Sequence, residues 1–149
     1  MNTKELNLLF QRDLSQLKEE LQAYQQEEKI WVLEKQIANS GGNLALHLIG
    51  NLRKFVAADL GGFAYERDRE QEFSATGKSR VTLLEELDLV KEQVEKSLIS
   101  LDPNKLGDQS IHSFFGHPMT IGYFLIHLYG HFNYHLGQIN YHRRLLDRS

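Results

Sequence analysis

Three histidines recur at intervals of four in the stretch His127-Leu-Tyr-Gly-His131-Phe-Asn-Tyr-His135-Leu-Gly-Gln138. At about 100° of turn and 1.5 Å of rise per residue, an i, i+4 pair on a helix shares one face, one turn apart, so two imidazoles can converge on one point. That is the geometry of a metal site. With His127 set at 0°, Phe124 falls at about 60°, Leu128 and Leu146 at about 100° and Ile139 at about 120°, which centres the apolar face near 80°. His131 at about 40° and His135 at about 80° point inward with that face, where an unpartnered polar ring is costly. His127 is left at its edge. His142, at about 60°, also faces inward but lies about 10 Å along the axis from His135, too far for one mononuclear site.

Metal sites in helical proteins draw ligands from facing helices. The only histidine in the first three helical segments is His47, which flanks the apolar stripe Leu44, Leu48, Leu52 and Phe55, with Asn51 one turn further on. His47 is therefore the candidate third ligand. Spacing alone leaves a second reading open, in which these are core or interface histidines satisfied by hydrogen bonds, because an HxxxH pair on a helix is only moderately specific. His112 and His117 fall in a segment without periodicity and are expected to be solvated.

Four amphipathic helices must position these residues. The first, about 3 to 26, carries Leu6, Phe10, Leu14, Leu17, Leu21 and Tyr24 on one stripe behind an Asn2–Glu5 capping pair. The second begins at a cap, Ser40 or Asn43, and runs to about Asp59 before Gly61-Gly62. The third, about 80 to 101, follows a Thr82–Glu85 capping box with Leu84, Leu87, Val90, Val94, Leu98 and Leu101 on its stripe, and Asp102-Pro103 stops it. The fourth starts from Thr120 and runs to about Asp147, with Arg143, Arg144 and Arg148 complementing its C-terminal dipole. Residues 61–80 and 102–118 lack periodicity and read as long connections. No strand pattern or internal repeat is present. The expected fold is all-α, a four-helix bundle with long crossover connections, forming a single domain over 1–149. Trp31 is expected as a core plug under a loop.

The chain has 149 residues, 25% of them charged, and a net charge of −3, which offers neither a basic footprint for nucleic acid nor a polybasic membrane signal. It contains no cysteine, so any thiol used in chemistry must come from outside the chain. The N-terminus lacks an uninterrupted apolar run and no stretch approaches the roughly 20 apolar residues of a membrane span, which makes the cytoplasm the expected location. Leu46 and Ile49 fall outside the stripe of the second helix, and Ile126 and Tyr129 outside that of the last. Through those outward apolar residues a homodimer is expected.

The segments Asn43-Leu-Ala-Leu-His47-Leu-Ile-Gly-Asn51-Leu-Arg53, Arg67-Asp68-Arg69-Glu70-Gln-Glu72-Phe73 and His131-Phe-Asn-Tyr-His135-Leu-Gly-Gln138-Ile139 together resemble the DinB-like, YfiT-related superfamily, in a branch sharing HLxGNLR and HxxYHLGQI patterns. The elements occur in the right order over almost the full chain. The resemblance implies a bundle that binds one divalent metal through a histidine of the second helix and two of the last, which fall on His47, His131 and His135. It implies no DNA binding.

Some relatives transfer a low-molecular-weight thiol, so the resemblance implies a small-molecule substrate and either a metal-dependent thiol S-transferase or a related hydrolase. The alternative is a non-catalytic metal-binding bundle with a stress, storage or interaction role. Three histidines leave an open coordination position for a water or an external thiol. Imidazole ligands suit zinc or nickel first, with iron or manganese as further candidates. Asn51, Gln138, Arg67 and Asp68 are candidates for contacting the substrate or supporting the ligands. No Asp or Glu shares the inward face with His131 and His135, so a carboxylate base, if the site has one, must come from a loop such as Arg67 to Glu72.

Overall fold

A computed structural model describes residues 1–148. It is all-helical, with α1 (Thr3–Ala23), α2 (Gly41–Leu52), α3 (Arg69–Ser74), α4 (Arg80–Ser100) and α5 (Ile121–Leu146). Among the described residues there is no strand, only one isolated bridge pairing Gln109 with Thr120. The expected caps at Asn2, Ser40 and Thr120 form, each side-chain oxygen accepting from a backbone N–H two or three residues on. On α4 the cap lies earlier than expected. Ser79, not Thr82, accepts from the Thr82 amide, and the buried stripe begins at Leu83, with Leu84 and Leu101 only half-buried.

The long helices form a ring in which α1 touches α4 and α5, and α2 touches the same two. Side-chain pairs fix their directions. Gln11 meets Lys91 and Lys18 meets Asp88, so α1 and α4 are antiparallel. Asp13 meets Asn133 and Glu20 meets Arg143, so α1 and α5 are parallel. A β-carbon on Gly41 would press on His142, while His47 meets His131, so α2 and α5 are antiparallel. Two up helices and two down helices result, in the order up, down, down, up. Because α2 and α4 then run the same way as neighbours, residues 59–79 must travel back along the bundle, which accounts for the long crossover.

Leu6, Phe10, Leu14, Leu17 and Leu21 of α1 close on Leu83, Leu87, Val90, Val94 and Leu98 of α4 and on Phe132, Leu136 and Ile139 of α5. All twelve residues of α2 are buried, Leu46 and Ile49 included. Their apolar character is explained by a central helix covered on every side, not by a subunit contact. Tyr129, also expected outward, packs edge-on against Phe10 at 5.5 Å, and of those four residues only Ile126 is exposed.

The second helix does continue to the expected end, but as a π-turn over Arg53–Ala58, finished by Gly62 at φ +74. Tight approach recurs along it: a β-carbon on Gly61 would overlap the Ser97 hydroxyl of α4. Trp31 lies under a loop as expected, its ring over Gly42 and its Nε1 donating to the Lys78 carbonyl at 3.0 Å. No helix among the described residues is long and apolar enough to cross a membrane.

Candidate metal centre

His47 reaches the interhelical space from the middle of α2, and His131 and His135 from successive turns of α5. Their ring nitrogens include one set, one atom from each residue, lying within 4.8 Å of one another. His47 Nε2 and His131 Nε2 stand 3.1 Å apart, and the rings of His131 and His135 are 4.6 Å apart, edge to face. A tetrahedral ion with nitrogens at about 2.0 to 2.1 Å places its ligand atoms about 3.3 Å from one another, close to this spacing. The three residues singled out by helical angle are thus brought together.

The outward nitrogens decide the inward ones. His47 Nδ1 lies 3.1 Å from Glu72 Oε1, and His135 Nδ1 lies 2.7 Å from Gln138 Oε1. Each of these oxygens accepts, so each Nδ1 carries the proton and each Nε2 presents a lone pair to the centre. Arg67 also approaches His47 Nδ1, at 3.3 Å, but its guanidinium already donates to both Glu72 oxygens at 2.9 Å, which leaves the histidine proton directed at the carboxylate. The Nδ1 of His131 is buried with no partner among the described residues, a deficit of about 1–3 kcal/mol for an ordinary polar group. The Nε2 atoms of His47 and His131, 3.1 Å apart, would repel as facing lone pairs unless a proton or cation lies between them. Three imidazole nitrogens gathered within 4.8 Å are a donor set that a divalent ion would satisfy, so the residues present fit the group.

Glu72 is the member that sequence reasoning placed only within a segment. It belongs to α3, a six-residue helix inside what was expected to be a structureless connection. Asp68 caps that helix by accepting from the Gln71 amide at 3.1 Å, and Asn43 of α2 donates to the Glu72 and Ala75 carbonyls at 3.0 and 2.8 Å. Phe73 then lies on the His47 ring at 4.8 Å. Asp68 is therefore the cap of α3 and makes no hydrogen bond to the three imidazoles. Arg67 supports the site through Glu72. Asn51 is buried one turn beyond His47 and makes no hydrogen bond to the three imidazoles.

Gly50 makes room for this carboxylate, since a β-carbon there would overlap it. Gly50→Ala should therefore displace Glu72 and lower stability by about 1–3 kcal/mol, the usual result of overpacking. On the exposed side of α5, Gly137 has open space where a β-carbon would go. Gly137→Ala should instead stabilise by roughly 0.5–1 kcal/mol, and chemical denaturation of the two variants side by side would reveal the opposite signs.

The remaining histidines lie elsewhere. His127 is exposed, its ring 6.2 Å from that of His131. His142 is buried between the Tyr24 hydroxyl at 2.7 Å and the Val32 carbonyl at 2.8 Å. His117 donates to the Pro118 carbonyl. His112 departs from the expectation of a solvated loop: it is half-buried, 2.7 Å from Asp59 and stacked on Phe114.

Burial, then the neighbouring charges of His135, His47, His127 and Arg67, push His131 down to about 4. His135 is also lowered, by burial first and by His47, against the opposing bond to Gln138. For Glu72 burial pushes upward, but the bonds from His47 and Arg67 and the Arg67 charge outweigh it and leave the carboxyl below its ordinary value.

These shifts set a sign. A histidine whose folded pKa lies below its unfolded value binds fewer protons folded than unfolded, so stability is full above about 6.5 and falls as pH drops toward about 4. The metal-free protein should lose stability between pH 7 and 5, by on the order of 1–2 kcal/mol once the water at these half-open rings is allowed for. Urea denaturation across that range tests this, and His131→Leu should flatten the slope.

A family model described as the DinB superfamily matches residues 10–139. The chain belongs to the DinB superfamily. The match runs from the first buried turns of α1 to Ile139 and so includes all three imidazoles, Gln138 and the whole crossover. A comparison with curated proteins finds no significant match.

Proposed function

We propose that this DinB superfamily protein is a metal-dependent enzyme that joins a low-molecular-weight thiol to a small electrophile. The observation that carries this reading is the centre itself: three neutral imidazoles, two of them oriented from behind by Glu72 and Gln138, on helices that supply no fourth protein ligand. Structural metal sites are closed by four protein ligands, whereas an open position is what catalytic sites keep. His47, His131 and His135 would hold the ion, zinc or nickel by ligand chemistry, and Glu72 and Gln138 would fix the rings toward it.

When bound, the ion supplies a Lewis acid that favours the thiolate form of a thiol, or acidifies water in a related hydrolysis. The chain contributes no cysteine nucleophile, which fits an external thiol as the sulfur donor and fits water in a hydrolysis equally well. In a substitution a carbon–sulfur bond forms as the leaving group departs with its electron pair and the thiol proton is released; in an addition the π electron pair moves to the far atom of the double bond, which takes up a proton. Glu72 is not positioned as the base for the thiol proton, because both its oxygens are engaged behind His47.

The test is a screen of small thiols against electrophiles with metal-loaded and chelator-treated protein. Turnover that needs both thiol and metal is the expected result. Metal binding with no turnover against any pair, accompanied by a change in melting temperature on chelation, would replace the enzyme reading with a non-catalytic metal-binding bundle.

A further inference from the structure

A wide cleft lies beside the metal centre, not at it. It is a cleft of about 1170 Å³ between the 34–39 segment and the C-terminal half of α5. Leu44 and Gln138 are among the residues that line it. Leu44 is three residues before His47 on α2 and Gln138 three residues after His135 on α5. Since these helices are antiparallel, both steps move the same way along the bundle, by about 4.5 Å. The lining of the cleft therefore comes within about one turn of the imidazoles, although none of the three lines it.

Its far walls have a definite chemistry. Ile37, Tyr141 and Leu145 present large apolar side chains to solvent, at 44%, 64% and 56% exposure. Among the described residues of the lining, Lys29, Lys35 and Arg148 bring three cations against one anion, Glu34, and none of the three has a salt-bridge partner among the described residues. His142 also lines the cleft, with both ring nitrogens already bonded to Tyr24 and Val32. Gln138 differs. Its Oε1 is taken by His135, while its amide NH2 makes no hydrogen bond within the described residues. One side chain thus touches a candidate ligand on one side and offers a donor to the cleft on the other.

We propose that this cleft binds the thiol substrate, and that the substrate is a small thiol bearing a carboxylate, held among Lys29, Lys35 and Arg148 with its sulfur end directed past Gln138 toward His135. The inference rests on the metal-enzyme reading for the sulfur end only. Apolar walls take the connecting chain, and the net positive lining selects the anion.

Calorimetry on metal-free protein tests the cleft alone, using 4-phenylbutyrate, 4-phenylbutanol and 4-phenylbutylamine as probes of one shape and three charges. The carboxylate should bind about tenfold or more tighter than the amine. The Lys35→Gln/Arg148→Gln variant should lose most of that preference, while Lys96→Gln, which removes a distant cation paired with Glu92, should keep it. Equal binding of carboxylate and amine, or an unchanged preference in the double variant, would overturn the assignment of the cleft.

The link to the metal is tested on zinc-loaded protein with mercaptoalkanoates of two to ten methylenes, each against the alkanoate lacking sulfur. A gain from the thiol that peaks at one chain length and disappears on chelation is expected. A gain independent of length would show that thiol and carboxylate bind apart. Failure of the metal reading would appear separately, as protein that takes up no metal while its preference for 4-phenylbutyrate persists.

Discussion

Protein purified without a histidine tag should carry about one divalent metal per chain, and the His131→Ala variant should carry almost none. The expected loss is large because His131 is central to the set: its Nε2 stands 3.1 Å from His47 Nε2, and its ring is the nearer of the two to His135. Removal leaves two imidazoles from different helices and two open positions. Losing an outer hydrogen-bonding partner of a ligand typically costs 10–100-fold in affinity, and loss of a ligand itself should exceed that range.

His127→Ala is the informative control. Its histidine continues the same spacing of four, yet its exposed ring lies on the edge of the face and should be dispensable for binding. Elemental analysis of the two variants beside the unaltered protein separates a site made by geometry from one made by local histidine density. Full metal retention by His131→Ala would remove the basis of the metal assignment.

Much of this centre was legible in the sequence because helical periodicity carries it. The direction set by Phe124, Leu128, Ile139 and Leu146 is long-range information written on one helix, and it placed His131 and His135 inward and His127 at the edge without any knowledge of the partner helix. His47 followed as the one histidine available on the earlier helices. The helix starts expected at Asn2 and Thr120 form there, and of the two caps offered for the second helix, Ser40 and Asn43, the chain uses Ser40. At α4 the chain offers Ser79 and Thr82, and the two hydroxyls bond each other at 2.8 Å, so the local signal was ambiguous by one turn.

What was not legible is the support behind His47. The α3 helix is six residues long, too short for a period to register, and it is held by contacts far away in sequence: Asn43 to its carbonyls and the gap over Gly50 for its carboxylate. Nor could the sequence separate a central helix from a subunit contact. Leu46 and Ile49 have the same apolar character in either case, and only the positions of α3, α4 and α5 decide that both are buried within the chain.

Glu72→Ala should have the second-largest effect, and it should act on stability and metal affinity at once. The carboxylate is buried, Arg67 is 13% exposed, and the two share a two-pronged contact at 2.9 Å on each side. Truncating one member of such a pair leaves the other charge with little water, a loss of about 3–5 kcal/mol for fully buried pairs and nearer the lower end here. The His47 Nδ1–H loses its acceptor at the same time. Without it the ring can adopt the other tautomer, with its proton on the Nε2 that faces the centre, and metal affinity should fall by about 10–100-fold. Glu72→Gln separates the two effects. Its amide oxygen can still accept from His47, so metal binding should recover more than stability does, because the Arg67 charge remains uncompensated. Nitrogen-15 spectra of the histidine rings in the metal-free variants report the tautomer directly. A His47 that keeps Nδ1 protonated in Glu72→Ala, with metal affinity unchanged, would show that Glu72 holds the fold together without orienting the site.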